Sequence, residues 1–340
     1  MKTTGGKFLA IDKALHPHLI ARFREDIAAL WPEGDRLALA VSGGPDSLAL
    51  LLLAHGTRPG MIEAATVDHR LRGEAAAAEA EMVAQICQQL NIPHQVLRVD
   101  VPEGNVQSMA RKARYGALTK WMDQRELGML ATAHHADDQA ETLLMRLNRA
   151  SGLSGLVGVR KQGAVPGTQH LRSQPLIQPL IRPLLGWRKA DLLALVSEAG
   201  ITPAQDASNS DDAFDRVRIR KALAEADWLG SEAIAQSAAH LADADEALEW
   251  AARREWAECV QVGPDQITYT PAAPRAVRLK VLARAIGHLG SEPRGGRLAK
   301  LLDALEAGQG GNIGGVMAAL GDPGVGEWTL RPEPPRRHQS

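Results

Sequence analysis

Cysteine is nearly absent from this chain of 340 residues, which contains only Cys87 and Cys259. Two thiols so far apart in the sequence cannot build a disulfide framework, a zinc ribbon or a C-x-x-C iron–sulfur or redox pair within one chain. Cys87 lies in a helical stretch, QICQQL, where a free cysteine is expected to be a buried core residue. The sequence therefore excludes the classes of protein that depend on clustered cysteines.

Long apolar runs and a basic excess are also missing. No segment approaches the ~18 apolar residues of a membrane span, and the amino-terminal stretch lacks the apolar core of a signal peptide. We therefore predict a cytoplasmic protein with no membrane partner. The formal net charge of −1 excludes a uniformly basic surface, although a local basic patch can still bind nucleic acid. The length of the chain allows two or three domains, each with a hydrophobic core of its own.

The run LALAVSGGPDSLALLLLA, residues 37–54, is the first feature with chemical content. Leu37–Val41 is short and apolar, as is typical of a strand buried on both faces of a parallel sheet. Residues 47–54 are apolar nearly all round and predict a deeply buried helix. A tight turn of Ser, Gly, Pro and Asp must therefore connect a strand to a helix.

This turn has the composition of a phosphate-binding loop. Gly43 and Gly44 permit backbone angles that side chains forbid and let an anion approach the main chain. Pro45 suits the first turn of a helix, where no N–H is needed. Unpaired N–H groups at the helix N-terminus, together with the hydroxyls of Ser42 and Ser47, predict an anion site.

Two common phosphate motifs do not fit this loop. The Walker pattern requires a lysine after its last glycine, and the spacing is not G-x-G-x-x-G. SGGPDS instead resembles the pyrophosphate loop of the N-type ATP pyrophosphatases, which split ATP into AMP and pyrophosphate while adenylating a substrate oxygen. A generic turn between a strand and a helix is the alternative, and the rest of the chain must decide.

Strands and helices alternate after the loop. Further strands are predicted at residues 62–68, 94–100 and 129–134, separated by helices at 73–90, 108–127 and 137–147. This alternation predicts an α/β fold with a doubly wound parallel sheet. Ligands of such sheets lie beyond the carboxyl ends of the strands, where the winding reverses. We therefore expect the loops after Val41, Val67 and Ala133 to meet in space.

The character of the sequence changes beyond Arg216. Apolar residues recur every seven positions beyond this point, at Ile234, Leu241 and Leu248, with charged residues between them. This spacing indicates a helical linker packed on one side. We place a domain boundary near residue 220 and expect a smaller, mostly helical C-terminal domain. The predicted organisation is a larger domain with the phosphate-binding loop at 1–220, the helical linker and a small C-terminal domain at 221–330, and a disordered tail at 331–340.

Three acids and two histidines are bunched in HHADDQAET, residues 134–142. Acids are ordinary in the first turn of a helix, but Asp137 and Asp138 also precede Glu141 by one helical turn, so the three carboxylates share a face and need cations. Magnesium is one candidate cation, held by Asp46 and Asp137 together with phosphate oxygens, and an amine substrate is the other. A zinc site is disfavoured, because adjacent histidines rarely converge on one ion without a distant third ligand.

Seven separated motifs, taken together, resemble the tRNA(Ile)-lysidine synthetase family in order and approximate spacing. They are SGGPDS (42–47), VDHRLR (67–72), SMARKARY (108–115), HHADDQAET (134–142), RASGLSGLVGV (149–159), IRPLL (181–185) and DASN…RVRIR (206–220). The resemblance covers roughly residues 37–220 and is only loose in the C-terminal third. One departure is Val217, where the family usually has asparagine after the arginine, so a side-chain hydrogen bond there would be absent.

The resemblance implies an adenine nucleotide alpha hydrolase-like fold and a two-step ligase. ATP adenylates the C2 oxygen of the wobble cytidine in an isoleucine tRNA with a CAU anticodon, and the ε-amine of free lysine then displaces AMP. The residues implied for ATP are Ser42, Gly43, Gly44, Pro45, Asp46, Ser47 and His134. The implied catalytic residues are Asp46, Asp137, Arg111 and Arg114, with magnesium on Asp46 and Asp137. Asp138 and Glu141 are implied to bind the substrate lysine.

Arginines supply the predicted contacts to anions. Arg111 and Arg114 lie three residues apart on a helix and can point together toward phosphates or the lysine carboxylate. A basic patch in an otherwise balanced chain is predicted to contact tRNA phosphates and comprises Arg216, Arg218, Arg220 and Lys221. Trp187 and Trp228 are candidates for base stacking, although tryptophans at helical spacing are more often core residues. No DNA partner is expected.

Three other functions remain as alternatives. A tRNA 2-thiolation enzyme would share the loop but normally shows C-x-x-C pairs, and GMP synthetase would bring a glutaminase domain with a nucleophilic cysteine. A non-catalytic nucleotide-binding sensor would keep the loop without the chemistry. Against the sensor stands the acidic cluster, which is costly to hold together and useful only with a cation.

Overall fold

A computed structural model describes residues 10–70, 74–100, 106–166, 179–204, 215–290, 295–322 and 326–334. Contacts divide the chain into two compact units, each containing two segments. The first unit comprises Met1–Met145 and Gly158–Ser237, and the second comprises Arg146–Val157 and Ala238–Ser340.

The first unit is an α/β domain. Its helices are α1 (Ile11–Ala14), α2 (Pro17–Ala28), α3 (Pro45–Thr57), α4 (Glu74–Gln89), α5 (Val106–Arg125), α6 (Ala136–Leu147, whose last two residues belong to the second unit), α8 (Lys189–Glu198) and α9 (Asp215–Glu225). Its strands are β1 (Leu37–Ala40), β2 (Ile62–Asp68), β3 (His94–Arg98), β4 (Met129–Ala131), β5 (Gln162–Ala164) and β6 (Pro179–Ile181). These strands form one sheet in the order β3-β2-β1-β4-β6-β5.

The sheet is parallel except at one edge, where β5 runs antiparallel to β6. From β1 the chain moves outward through β2 to β3 and then crosses to β4, which lies on the other side of β1. The winding therefore reverses between β1 and β4, whose residues Leu39 and Ala131 are partners in register. This is the position at which a doubly wound sheet binds its ligand.

Alternation along β1 explains why both faces of the sheet are covered. Leu37 and Leu39 point into one core, which contains the buried leucines of α3. Ala38 and Ala40 point into a second core, formed largely by α5. Successive side chains of a strand face opposite sides of the sheet. The four residues of β1 therefore pack against helices on both faces. A continuously apolar strand is the sequence signature of such burial.

The second unit has its own core and its own sheet. Its helices are α7 (Leu153–Leu156), α10 (Ser231–Cys259, which begins among the residues of the first unit), α11 (Arg275–Leu289) and α12 (Gly295–Glu306). Its strands are β7 (Val260–Val262), β8 (Ile267–Tyr269), β9 (Gly311–Ile313), β10 (Val316–Leu320) and β11 (Trp328–Pro332). They form an antiparallel sheet in the order β7-β8-β11-β10-β9, which packs against α11 and α12 in one apolar core.

The predicted doubly wound α/β fold is confirmed, and the predicted helices and parallel strands lie within a few residues of their observed bounds. The five strands of the second unit were not predicted. The units divide after Ser237, whereas the predicted boundary lies near 220. Strand β11 extends to Pro332, into the segment predicted as a tail, and residues 335–340 lie outside the described residues. Among the helices described, none is both long and apolar enough to cross a membrane.

Candidate active site

A cavity of about 190 Å³ opens where the winding of the sheet reverses. The loop after β1 forms one wall, and the carboxyl end of β4 with His134 forms another. The cavity is completed by Arg114 of α5, Asp138 of α6 and Arg216 of α9. The loops after β1 and β4 therefore meet, as predicted, whereas the described residues of the loop after β2 do not line the cavity.

The loop after β1 is held in shape by its own hydroxyl groups. The Ser47 hydroxyl donates to the Gly44 carbonyl at 3.1 Å and accepts the backbone N–H of Ser42, also at 3.1 Å. Gly43 has a φ of +79°, a conformation that favours glycine, and a Cβ atom there would lie 3.2 Å from the Met82 side chain. The two predicted glycines thus have different uses, because Gly44 has ordinary backbone angles and a Cβ there would make only an ordinary contact with the Ser42 hydroxyl, at 3.8 Å.

Helix α3 presents its N-terminus to this cavity. Gly44 is the N-cap residue and Pro45 occupies the first turn, and no described side chain caps the helix. The first-turn N–H groups are therefore left for an anion, which the helix dipole also favours. The Gly43 carbonyl is turned to the other side, where it accepts the N–H of Ala204 at 3.0 Å.

Three of the four carboxylates of the predicted site lie around one buried histidine, His135, whose side chain is only 4% exposed. Its Nε2 atom is 3.5 Å from both Asp46 and Asp138, and its Nδ1 atom is 3.5 Å from Asp137. The fourth carboxylate, Glu141, lies one turn along α6 and is 2% exposed. The sequence analysis grouped the acids correctly but gave His135 no role.

His135 is a cation at neutral pH. Burial alone lowers the pKa of its imidazole, but the carboxylates of Asp137, Asp46 and Asp138 outweigh this effect and raise the pKa to about 9. In return, the His135 imidazolium holds the pKa of Asp137 below its usual range, with help from the backbone N–H of Lys189 at 2.8 Å. The acidic cluster therefore contains a built-in positive charge.

Two arginines of α9 provide further positive charge. Arg216 donates from Nη2 to Asp138 at 2.6 Å and from Nε to Glu141 at 2.5 Å. Arg220 donates from Nε to the second oxygen of Glu141 at 2.6 Å. The two carboxylates predicted to bind lysine are thus paired with two arginines predicted to bind tRNA. These arginines hold Asp138 and Glu141 in fixed positions beside the cavity.

His134, the adjacent histidine, has the opposite electrostatic environment. Burial lowers the pKa of its imidazole to about 4, and the nearby guanidinium groups of Arg182, Arg114 and Arg216 add to the effect. Its Nδ1 atom lies 3.1 Å from the Thr132 hydroxyl. His134 is therefore neutral at physiological pH and can donate or accept a hydrogen bond at the cavity wall.

Arg182 is a site residue that the sequence analysis missed. Its Nη1 atom donates to the Arg160 carbonyl at 2.7 Å, while its buried Nε–H has no partner among the described residues. Burial lowers the pKa of its guanidinium. Its position in the IRPLL motif could have drawn attention to it, although an arginine between apolar residues is not by itself a functional signal.

Other predicted residues lie farther from the cavity wall. Arg111 stacks on the ring of Tyr115 at 5.1 Å and is not among the described residues that line the cavity. Arg218 is paired with Asp215 on the outer side of α9, and Lys221 is exposed on the same helix. The structure thus brings together all the predicted acids and Arg114, but it divides the predicted basic patch into two faces of one helix.

The donor set around Asp46 fits a magnesium ion. The Oδ1 atom of Asp46 is buried and has no hydrogen-bond partner in the described part of the chain, and a hard cation prefers such an oxygen. Asp137 is more fully engaged, because its Oδ2 atom accepts the Lys189 N–H and faces His135. Within the described ranges no group of three or more His, Cys, Asp and Glu residues is arranged to hold a metal.

Comparisons with known proteins agree with this geometry. Residues 16–227 match the PP-loop domain family. The chain is 47% identical over 321 residues to the tRNA(Ile)-lysidine synthase of Novosphingobium aromaticivorans, covering 93% of this chain and 94% of that protein. It is 36% identical over 312 residues to the enzyme of the same name from Zymomonas mobilis, covering 90% and 91% of the two chains.

A solved structure shares the fold. The U34-tRNA thiolase NcsA from Methanococcus maripaludis, with its [4Fe-4S] cluster, aligns with a TM-score of 0.54 at 16% identity and covers 66% of this chain and 77% of that one. This likeness concerns the fold alone. The identities over nearly the whole chain decide the assignment, and the chain belongs to the tRNA(Ile)-lysidine synthase family of PP-loop proteins.

Proposed function

We propose that this chain forms lysidine at the wobble cytidine of an isoleucine tRNA with a CAU anticodon, using ATP and free lysine. One observation carries the proposal. The phosphate loop and Asp138 line the same cavity, while Glu141 is joined to Asp138 through Arg216. An ATP phosphate chain and an amine nucleophile can therefore be held next to each other.

In the first step the C2 carbonyl oxygen of cytosine attacks the α-phosphorus of ATP, the bond to the β-phosphate breaks, and pyrophosphate leaves. The uncapped first turn of α3 receives the pyrophosphate charge. The Arg114 guanidinium lines the cavity beside the loop and offsets the charge that develops on the α-phosphate. His134 is neutral and adds no competing charge at this wall.

Magnesium, when bound, would offset the charge of the ATP phosphates. Asp46 is the proposed main ligand, because the buried Oδ1 atom of its side chain has no partner in the described part of the chain. Asp137 remains the proposed second ligand. His135 keeps both carboxylates in place in the absence of the ion, at 3.5 Å from each.

In the second step the ε-amine of lysine attacks C2, the C2–O bond breaks, and AMP leaves with the former carbonyl oxygen. Asp138 and Glu141 are proposed to bind the ammonium group, and a carboxylate accepts its proton because an ammonium ion cannot attack. Arg216 and Arg220 orient these carboxylates through the ion pairs described above. The lysine therefore meets acids whose positions are already fixed.

Transfer of sulfur to tRNA is the rival reaction within this fold. It is disfavoured, because Cys87 is buried in the core and burial raises the pKa of its thiol to about 12. A thiol of that kind is not a nucleophile at neutral pH. The other cysteine, Cys259, belongs to the second unit.

The deciding experiment measures incorporation of radiolabelled lysine into a purified isoleucine tRNA with a CAU anticodon, with ATP and magnesium, alongside release of pyrophosphate. Label that depends on ATP is the expected result. Release of pyrophosphate without label would assign the chain another acceptor. If neither labelled tRNA nor pyrophosphate is formed, the chain would instead be a nucleotide-binding protein without this activity. An elongator methionine tRNA with the same anticodon serves as the matched control.

A further inference from the structure

Trp228 is the most exposed large apolar side chain among the described residues, with 80% of its surface open to solvent. It lies in the turn between α9 and α10. The turn is ordered, since Ala226 donates its N–H to the Ala222 carbonyl at 3.1 Å and Leu229 donates to the Ala226 carbonyl at 3.0 Å. The indole is therefore held outward by hydrogen-bonded backbone.

Both ends of this segment are tied to the acidic cluster. Before the turn, Arg216 and Arg220 bind Glu141. After the turn, Ser231 lies close enough to Asp137 to help lower the pKa of that carboxyl. Trp228 precedes Ser231 by three residues, so their Cα atoms lie within about 11 Å of each other. The exposed indole therefore belongs to a short segment that is tied at both ends to the acidic cluster, in the same unit as the cavity.

Other tryptophans of the chain have structural partners that explain them. Trp187 is 1% exposed and donates its indole N–H to Asp26, so the prediction that it could stack on a base is wrong. Trp250 is exposed, but the guanidinium of Arg254 lies 5.2 Å from its ring centre. Trp228 has no comparable ring or guanidinium contact within the described ranges, so its indole face is open to a ligand.

We propose that Trp228 is a stacking platform for an unpaired base of the tRNA anticodon loop, next to the base that enters the cavity. The inference rests on the proposed function. A cytidine that reaches the cavity must leave the stack of its neighbours, and an adjacent base then exposes a π-face. An indole covers that face without reading its sequence. Arg218 and Lys221, on the helix that leads to the turn, supply positive charge near the phosphates.

The test compares Trp228→Ala with Trp228→Phe in lysine incorporation, with Leu193→Ala as a control that removes another exposed apolar side chain of the same unit. For Trp228→Ala we expect KM for tRNA to rise about tenfold to a hundredfold. KM for ATP and for lysine should stay near the wild-type values. Trp228→Phe should recover most of the loss, and Leu193→Ala should behave as wild type.

Fluorescence gives a second measurement that does not depend on catalysis. Titration with tRNA should quench the emission of the wild-type protein, and Trp228→Phe should lose most of that quench. An unchanged KM for tRNA in Trp228→Ala, or an unchanged quench in Trp228→Phe, would overturn the inference. So would a change in self-association of Trp228→Ala by sedimentation, because it would assign the indole to a protein partner. Absence of label with the wild-type protein would instead overturn the proposed function.

Discussion

At the scale of single residues, the acidic cluster depends on charges that lie within 4 Å of one another. Asp46, Asp137 and Asp138 surround His135, and Arg216 joins Asp138 to Glu141. Such a group is costly to assemble unless each charge has a partner. Every member can be tested by a substitution that keeps its shape and removes its charge.

Asp46→Asn should lower the rate of pyrophosphate release about 100-fold or more, because the amide is a poor magnesium ligand and leaves the phosphate charge without its counter-ion. The protein should remain folded, since Oδ1 of Asp46 bonds to no described residue and the His135 imidazolium, which faces Oδ2, keeps Asp137 and Asp138 as partners. Steady-state release of pyrophosphate over a range of magnesium concentrations measures the effect. Wild-type activity of the variant would remove Asp46 from the mechanism.

Glu141→Gln should raise KM for lysine far more than KM for ATP. The carboxylate of Glu141 lies at the proposed ammonium site, whereas the cavity wall near the phosphates contains Asp138 and not Glu141. Initial rates with each substrate varied in turn separate the two constants. An unchanged dependence on lysine would contradict the assignment.

The acids of this site were predictable because they are adjacent in the sequence and follow a predicted strand. The role of His135 was not, because its pKa depends on Asp46, which is 89 positions away in the chain and is brought close only by the pairing of β1 with β4. Likewise, the partnership of Arg216 with Glu141 requires a helix whose placement no local pattern specifies.

At the scale of elements, the phosphate loop and α9 each combine two functions in a short segment. In the loop, Gly43 supplies a left-handed backbone conformation and Gly44 supplies the N-cap of α3. In α9, successive arginines point to different partners because a helix turns about 100° per residue. These differences allow neighbouring residues to serve as controls for each other.

Gly43→Ala should destabilise the protein by about 1–2 kcal/mol, because the Cβ atom of an alanine is strained by that amount in the left-handed backbone conformation. It should also weaken ATP binding, since the added Cβ would press on Met82 and move the loop. Gly44→Ala is the matched control for stability, because its φ of −73° suits any residue. Urea denaturation compares the two, and equal losses of stability would show that the angle at Gly43 is not the cause.

Arg218→Ala should reduce the slope of log KM for tRNA against log salt by about 0.7–0.9, the effect of one lost phosphate contact. Its side chain is 64% exposed and turned away from the acidic cluster. Arg216→Ala should instead raise KM for lysine, because it releases Asp138 and Glu141. Identical salt slopes for the wild type and Arg218→Ala would remove Arg218 from the tRNA surface.

At the scale of the whole molecule, the two units differ in how well their helices and strands could be predicted from the sequence. The first unit was predictable, because its parallel strands alternate regularly with helices and glycines mark the functional turn. The strands of the second unit are three to five residues long, as in Ile267–Tyr269 and Gly311–Ile313. Runs so short show no periodicity, and their pairing with distant partners is set by tertiary packing.

Glu255→Gln should destabilise the second unit by about 2 kcal/mol at pH 7. Burial raises the pKa of this carboxyl, but the N–H groups of Ala272 and Ala273 and the Tyr269 hydroxyl outweigh the effect and lower it overall. The stabilisation is therefore present above the ordinary pKa of 4.5 and is lost as the pH falls through the lowered value.

Denaturation of wild type and Glu255→Gln between pH 3 and pH 7 checks this sign. The difference in the free energy of unfolding should shrink as the solution becomes more acidic. A difference that stays constant or grows at low pH would show that the carboxylate charge does not contribute. Pyrophosphate release at pH 7 and low temperature should not change, because Glu255 belongs to the second unit and the phosphate loop to the first.

The adjacency of β1 and β4 also bears on how the family can change length during evolution. Residues of β2, α4, β3 and α5 form an excursion between these strands, and the chain returns to place Ala131 beside Leu39. Insertions or deletions in the connections of this excursion alter the route of the chain without changing that register. Relatives can therefore diverge in size between Asp68 and Met129 while the phosphate loop and the acidic helix remain side by side.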